Sequence, residues 1–167
     1  LMVHTGDPKQ QFILERMHAL GLSIVVLHTE KNWAEPYIDH WVIADTFNHD
    51  EALRSLELFL EAHPDVTIDG VITFREDTNL LKAKIVEQLR CIGIPFSVAK
   101  VVRNKYEFRN FCQQHGIIVP RHRLIRSEAD LFTRDDLRFP LVIKPVYGCS
   151  SACVIKVEDE KQLQETY

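Results

Sequence analysis

A lysine closes an apolar run, and a loop of small and hydroxyl residues follows it: Phe139-Pro140-Leu141-Val142-Ile143-Lys144-Pro145-Val146-Tyr147-Gly148-Cys149-Ser150-Ser151-Ala152-Cys153-Val154. Burying an ammonium is costly unless an anion or an acid accompanies it. The loop adds backbone N–H groups and the Ser150 and Ser151 hydroxyls, all able to donate to phosphate oxygens. The chemistry suggested is a grip on a polyphosphate. A plain hairpin with a snorkelling lysine fits the same spacing.

A second segment, Arg103-Asn104-Lys105-Tyr106-Glu107-Phe108-Arg109, puts basic side chains at a predicted helix N-terminus. The helix dipole disfavours cations there. An anionic ligand would resolve the conflict; a solvated surface patch is the alternative. Weaker candidates follow predicted strands, where ligands sit in open α/β sheets. Thr5-Gly6-Asp7 and Phe74-Arg75-Glu76-Asp77-Thr78 make Gly6 and Glu76 candidates for the edge of a substrate site. His28, Glu30 and Trp33 form a similar group. Turn and capping roles account for the same residues.

Cys149 and Cys153 form a C-x3-C pair, while Cys91 and Cys112 stand apart. No second pair follows at zinc-finger spacing and no signal-peptide pattern precedes, so reduced thiols are expected. The eight histidines form no H-E-x-x-H or similar two-ligand helix face, so no metal site is expected within the chain.

These residues need elements to hold them. Leu1–Thr5 reads as a strand tail, and Asp7-Pro8 as an N-cap with a first-turn proline. Phe12, Ile13, Met17 and Leu20 follow at helical spacing, with Gly21 at the C-terminal cap. Apolar strands are expected at 23–28, 41–44 and 69–74. Helices are expected from Asp50, with Leu53, Leu56 and Leu60 on one side, and from Thr78 to Gly93, carrying Leu81, Ile85 and Leu89. Such alternation predicts a parallel sheet with helices on both faces. The pattern changes near Ile94-Pro95, and 96–103 is the expected boundary. A lone helix from Asn104 to His115, with Phe108, Phe111 and Cys112 inward, ends at Gly116. Then come a strand around 123–125, a capping box at Ser127-Glu128-Ala129-Asp130, a hairpin through 139–157, and a helix capped by Asp159.

Composition sets the frame. At roughly 150 residues per domain, 167 residues suggest about one domain. With 46% hydrophobic and 26% charged residues, the chain is not of disordered type. A net charge of −4 gives no electrostatic case for nucleic acid. The longest apolar runs are far short of the roughly 20 residues of a membrane helix. The opening Leu1-Met2-Val3 and the ending Gln164-Glu165-Thr166-Tyr167 look cut from something longer.

Taken in order, Asn104-Lys105, Arg109, Gly116-Ile117, Pro120, Phe139–Pro145, Gly148 and Ser151 resemble the opening of the nucleotide-binding region of the ATP-grasp superfamily. The preceding α/β segment resembles its pre-ATP-grasp domain. The likeness is greatest to carboxylate–amine or carboxylate–thiol ligases related to biotin carboxylase and carbamoyl-phosphate synthetase. The resemblance implies an α/β fold: a pre-ATP-grasp parallel sheet with flanking helices over 1–98, a linker helix over 99–120, and an incomplete α+β ATP-grasp subdomain over 121–167. It implies ATP binding by Lys105, Lys144, Gly148, Cys149, Ser150 and Ser151. Arg109 matches a recurrent arginine, as a ligand or in a structural ion pair. The sequence departs from the family at Cys153, where glycine is usual, and at Ala152, where a basic residue is frequent; the missing glycine restricts the backbone.

The implied chemistry is phosphoryl transfer from ATP to a carboxylate, then attack on the acylphosphate by an amine or other nucleophile, with Mg2+ at the phosphates. Metal ligands and catalytic residues are expected beyond Tyr167, so these residues alone are not expected to catalyse ligation. The expected setting is cytoplasmic, with ATP, a small carboxylate and a nucleophile as partners, no nucleic acid, no membrane, and room for a homodimer. A non-catalytic nucleotide- or small-molecule-binding α/β module, as sensor or interaction module, is the alternative.

Overall fold

Parallel pairing begins at the first residues. In the computed structural model, which describes residues 1–131 and 137–166, β1 (Met2–Val3) pairs with β2 (Val25–His28), and β2 with β3 (His40–Ile43), all parallel. The register sets Val3 beside Leu27 and Leu27 beside Val42. On the other side of β1, Met2 forms a single parallel bridge with Ile72, closed by Val3 N–H to Ile72 O at 2.8 Å and Ile72 N–H to Leu1 O at 2.9 Å. The strand expected over 69–74 is thus reduced to one bridge. β1 is flanked on both sides, and the chain changes direction across the sheet there.

All four residues of β2 are buried, as continuous apolar runs in covered parallel sheets should be. One face packs Val3, Val25, Leu27 and Val42 against Leu56 of α2 (His49–Ala62) and Leu81 and Ile85 of α3 (Asn79–Gln88). The other packs Met2, Ile24 and Val26 against Leu14 of α1 (Gln11–Ala19). Helices therefore cover both faces, as alternation predicts. Asp7 and Gln10 form a reciprocal capping box around a 3-10 turn that leads into α1. Asn48 caps α2 through Glu51 N–H.

The sequence misjudges α1's inward side. Phe12 and Leu20 are 64% and 60% exposed, while Leu14 is buried. The end of α3 is also different. The helix stops at Gln88 and Arg90 takes the left-handed turn at φ 55°, so Gly93 is not its cap. Gly93 serves close packing instead: a Cβ there would lie 2.9 Å from Val86 Cγ1.

The chain divides into two units, Leu1–Ala99 and Lys100–Tyr167. Helix α4 (Phe96–Arg103) occupies the stretch read as a boundary. Its valines lower helix propensity and hid it from the periodicity reading. Glu87 caps it through Phe96 N–H at 2.7 Å.

In the second unit α5 (Lys105–Gln114) is capped by Asn104, whose Oδ1 accepts from Tyr106 and Glu107 N–H. Of its expected inward residues only Cys112 is buried; Phe108 and Phe111 are 43% and 46% exposed. No strand forms over 123–125. Just after it, the Asp130 carboxylate accepts the N–H groups of Arg126 and Ser127 at 2.7 and 3.1 Å at the start of α6 (Glu128–Leu131). Strands β4 (Leu141–Ile143) and β5 (Ile155–Val157) form the expected antiparallel hairpin. Asp159 caps α7 (Glu160–Thr166) through Gln162 N–H. Leu131, Val157 and Leu163 make a small core.

Candidate functional site

Lys144 is the first residue past β4, at the mouth of the hairpin. Its ammonium is held below the ordinary lysine range, first by burial and then by the charges of Arg109 and Lys105. Among the described residues no carboxylate pairs with Lys105, Arg109 or Lys144. Three cations share one neighbourhood without an internal counter-ion, an arrangement that an external anion would relieve.

The start of α5 is tied to the loop that follows Lys144. Lys105 N–H donates to Val146 O at 3.1 Å, Lys105 Nζ donates to Gly148 O at 2.8 Å, and Asn104 Nδ2 donates to Tyr147 OH at 3.2 Å. Lys105 thus holds the loop with one of its three N–H donors and keeps two for a ligand. The roles of Asn104 and Tyr147 were missed; Asn104 shows in the sequence only as a helix cap.

The loop itself is strained. Ser150, Ser151 and Cys153 have φ of 52°, 59° and 55°, the left-handed region that side chains disfavour. Gly148 has φ 156°. Two turns close it, Ala152 N–H to Cys149 O at 3.1 Å and Val154 N–H to Ser151 O at 3.3 Å. Among the described residues the N–H groups of Ser150 and Ser151 take no backbone partner, and they stand with both hydroxyls as donors. Charge, donors and loop fit a polyphosphate. Cys153 adopts the conformation that glycine would take without strain, so the departure noted in the sequence falls on a residue where it costs energy. No group of three or more His, Cys, Asp or Glu side chains is placed to hold a metal ion among the described residues.

In the first unit, the carboxyl ends of the strands carry His4, His28 and the turn through Arg75. Thr5 is buried and accepts from Asn32 Nδ2 at 3.0 Å. The His4 and His28 rings lie 4.2 Å apart. Gly6 has φ 79° and packs on the side chain of Gln10. Glu76 begins a 3-10 turn leading into α3, and Glu30 gives its N–H to His28 Nδ1. Gly6 and Glu76 thus lie in turns at the sheet's carboxyl edge, and capping accounts for part of their role. The sequence reading took His4 as strand and missed it; its signal is a histidine directly before Thr5-Gly6.

Residues 14–96 match the ATP-grasp N-terminal domain family. The fold is similar to an L-amino acid ligase from Bacillus licheniformis, with a TM-score of 0.82 and 28% identity over 98% of this chain and 40% of that one. The chain is similar to ATP-grasp ligases in sequence and in fold. Among curated relatives, it is 33% identical over 81 residues to a D-alanine–D-alanine ligase of Pseudomonas entomophila, covering 45% of this chain and 26% of that protein. It is also 33% identical over 99 residues to the carbamoyl phosphate synthase large chain of Thermus thermophilus, 57% of this chain and 10% of that one. It therefore spans about a quarter, or less, of these curated relatives. The α/β architecture expected from the resemblance agrees with these structural likenesses. No helix among the described residues is long and apolar enough to cross a membrane.

Proposed function

We propose that the second unit binds the phosphates of ATP through Lys105, Lys144 and the loop Gly148, Cys149, Ser150 and Ser151. The protein to which this chain belongs then acts as an ATP-dependent carboxylate ligase. The observation that carries this reading is the cation trio Lys105–Arg109–Lys144, which has no carboxylate partner among the described residues and lies beside a loop with open donors. Residues 1–98 serve as the pre-ATP-grasp domain, 99–120 as the linking segment, and 121–167 as the start of the nucleotide-binding domain. The partners are ATP, a small carboxylate and an amine or other nucleophile, in a cytoplasmic setting and with room for a homodimer.

In the proposed reaction a carboxylate oxygen attacks the γ-phosphorus and ADP leaves. The nucleophile then attacks the acyl carbon and phosphate leaves. Lys144 and Lys105 stabilise charge on the β- and γ-oxygens as it moves. Mg2+ would supply further charge neutralisation at the phosphates; no residue described here is assigned to it, and none is assigned as catalytic.

The strained Cys153 favours a second reading, a nucleotide-binding relative that does not turn over. ADP release by the protein, followed with a panel of amino acids present, separates the two. Release that requires a carboxylate is expected of the ligase. ATP binding with no release under any carboxylate would establish the second reading.

A further inference from the structure

The hydrogen bonds around His4 do not balance. Gly6 N–H donates to His4 Nδ1 at 2.9 Å, and a backbone N–H can only donate. Nδ1 is therefore the acceptor and the ring proton of neutral His4 sits on Nε2. Yet Arg75 Nη1, also only a donor, approaches Nε2 at 3.4 Å. Two donors face each other with no acceptor between them. A tautomer change does not help, because it would leave Gly6 N–H facing a ring N–H.

His28 is short of acceptors as well: Nδ1 takes Glu30 N–H at 3.3 Å, with Thr29 Oγ1 also 3.2 Å away, and Asn32 Nδ2 lies 3.3 Å from Nε2. His4 differs in that the donor at its Nε2 is a charged guanidinium. Asn32 is itself oriented by Ala34 N–H on Oδ1 and by its own bond to Thr5.

The location adds a second argument. His4 follows β1, Arg75 follows the segment bridged to β1 on the side away from β2, and both lie at the carboxyl ends of parallel strands. The chain crosses from one side of β1 to the other here, the switch point where open α/β sheets leave a crevice for ligands. His4 also holds φ 67°, an uncommon backbone conformation, fixed by the Gly6 bond.

We propose that His4 Nε2–H and the Arg75 guanidinium together bind one carboxylate group of a small molecule at the carboxyl edge of the first sheet. The identification of that group as a substrate carboxylate rests on the ligase reading above; the facing donors by themselves call for an acceptor. Charge selects the carboxylate. Arg75 already faces Asp77 Oδ2 at 3.7 Å, so with neutral His4 the three groups sum to no net charge, and one proton taken up by His4 matches a monoanion but not a phosphate dianion. The groups around the His4 ring are His28, Arg75 and the Gly6 amide, and burial with the two neighbouring positive or protonatable groups lowers its pKa to about 4. A bound carboxylate reverses that balance, so binding takes up a proton and weakens as pH rises.

Histidine side-chain 1H–15N NMR of the protein, titrated separately with acetate, inorganic phosphate and ATP, tests this. Acetate is expected to shift the His4 Nε2 signal saturably and to raise the His4 pKa above about 4. Arg75→Gln, at a half-exposed site, should weaken acetate binding about tenfold or more. His4→Asn, which tolerates the same backbone, should remove the response and leave the melting curve cooperative. A His4 signal indifferent to acetate, an Arg75→Gln response equal to wild type, or tighter phosphate than acetate binding overturns the proposal. ATP binding without an acetate response sinks this site alone; an acetate response without ATP binding sinks the ligase reading and leaves the site.

Discussion

Both units leave large apolar side chains exposed, but the first buries two sizeable clusters and the second one small one. Around the parallel sheet, Val3, Val26, Leu27, Leu81 and Ile85 are fully buried, and two clusters fill both faces. Around the hairpin the core is Leu131, Val157 and Leu163, while Ile118, Val142, Ile117 and Phe111 are about half exposed or more. The polar groups differ in the same sense. Near the sheet edge, Asn32 Nδ2 reaches both Thr5 Oγ1 and His28 Nε2. Near the hairpin, among the described residues, three cations lack a carboxylate partner and two serine N–H groups lack a backbone partner. The larger buried cores lie in the first region, and the cation cluster without a carboxylate partner lies in the second.

The comparison breaks most readily at the cores. Leu27→Ala, at a fully buried position, should cost about 2–5 kcal/mol, and Leu163→Ala about 2 kcal/mol or less, both read by chemical denaturation. Equal costs would remove the contrast.

Acid comes next. His4, His28 and His49 of the first unit all have pKa values lowered from 6.5, chiefly by burial, His4 to about 4. Their contribution is complete above about pH 6.5 and is lost as pH falls towards about 4, because the unfolded chain takes up protons first. Lys144 of the second unit has the same sign near the alkaline end: its lowered pKa makes its charge a cost at neutral pH. Melting of the first unit should therefore weaken between those acid limits, and His4→Asn should flatten the slope. An unchanged slope would show that His4 is not buried as described.

The smallest expected effect lies in the loop. Cys153→Gly releases a left-handed side-chain residue costing about 1–2 kcal/mol, less the added freedom of the unfolded chain, for a net gain of about 1 kcal/mol or less. Denaturation of this variant should move slightly towards greater stability; a loss would mean that the side chain is needed where it is.

The sheet was legible in the sequence because period and burial agree: Val25–His28 is β-branched, apolar and buried throughout. The caps were legible at Asp7 and Asp159 because a short polar side chain before a helix has one task. Inward faces were not. Phe12, Phe108 and Phe111 have helical spacing, but burial depends on what lies opposite, and spacing does not record that. Helix α4 was lost to its valines, and the strand over 123–125 does not form. For the proposed phosphate site, the residue types were visible and the convergence was not. That Arg109 presses on Lys144, and that Lys105 holds Gly148 O, are facts of packing. His4 was invisible because its importance lies in a hydrogen-bond conflict, which only geometry creates.

The central claim is that the lone charge of Lys144 awaits a phosphate. Isothermal titration of the protein with ATP, wild type against Lys144→Glu, tests it most directly. The account predicts that charge reversal abolishes measurable ATP binding while the melting temperature holds or rises, since an unpaired cation between Arg109 and Lys105 becomes a paired anion. ATP affinity unchanged by Lys144→Glu would contradict it.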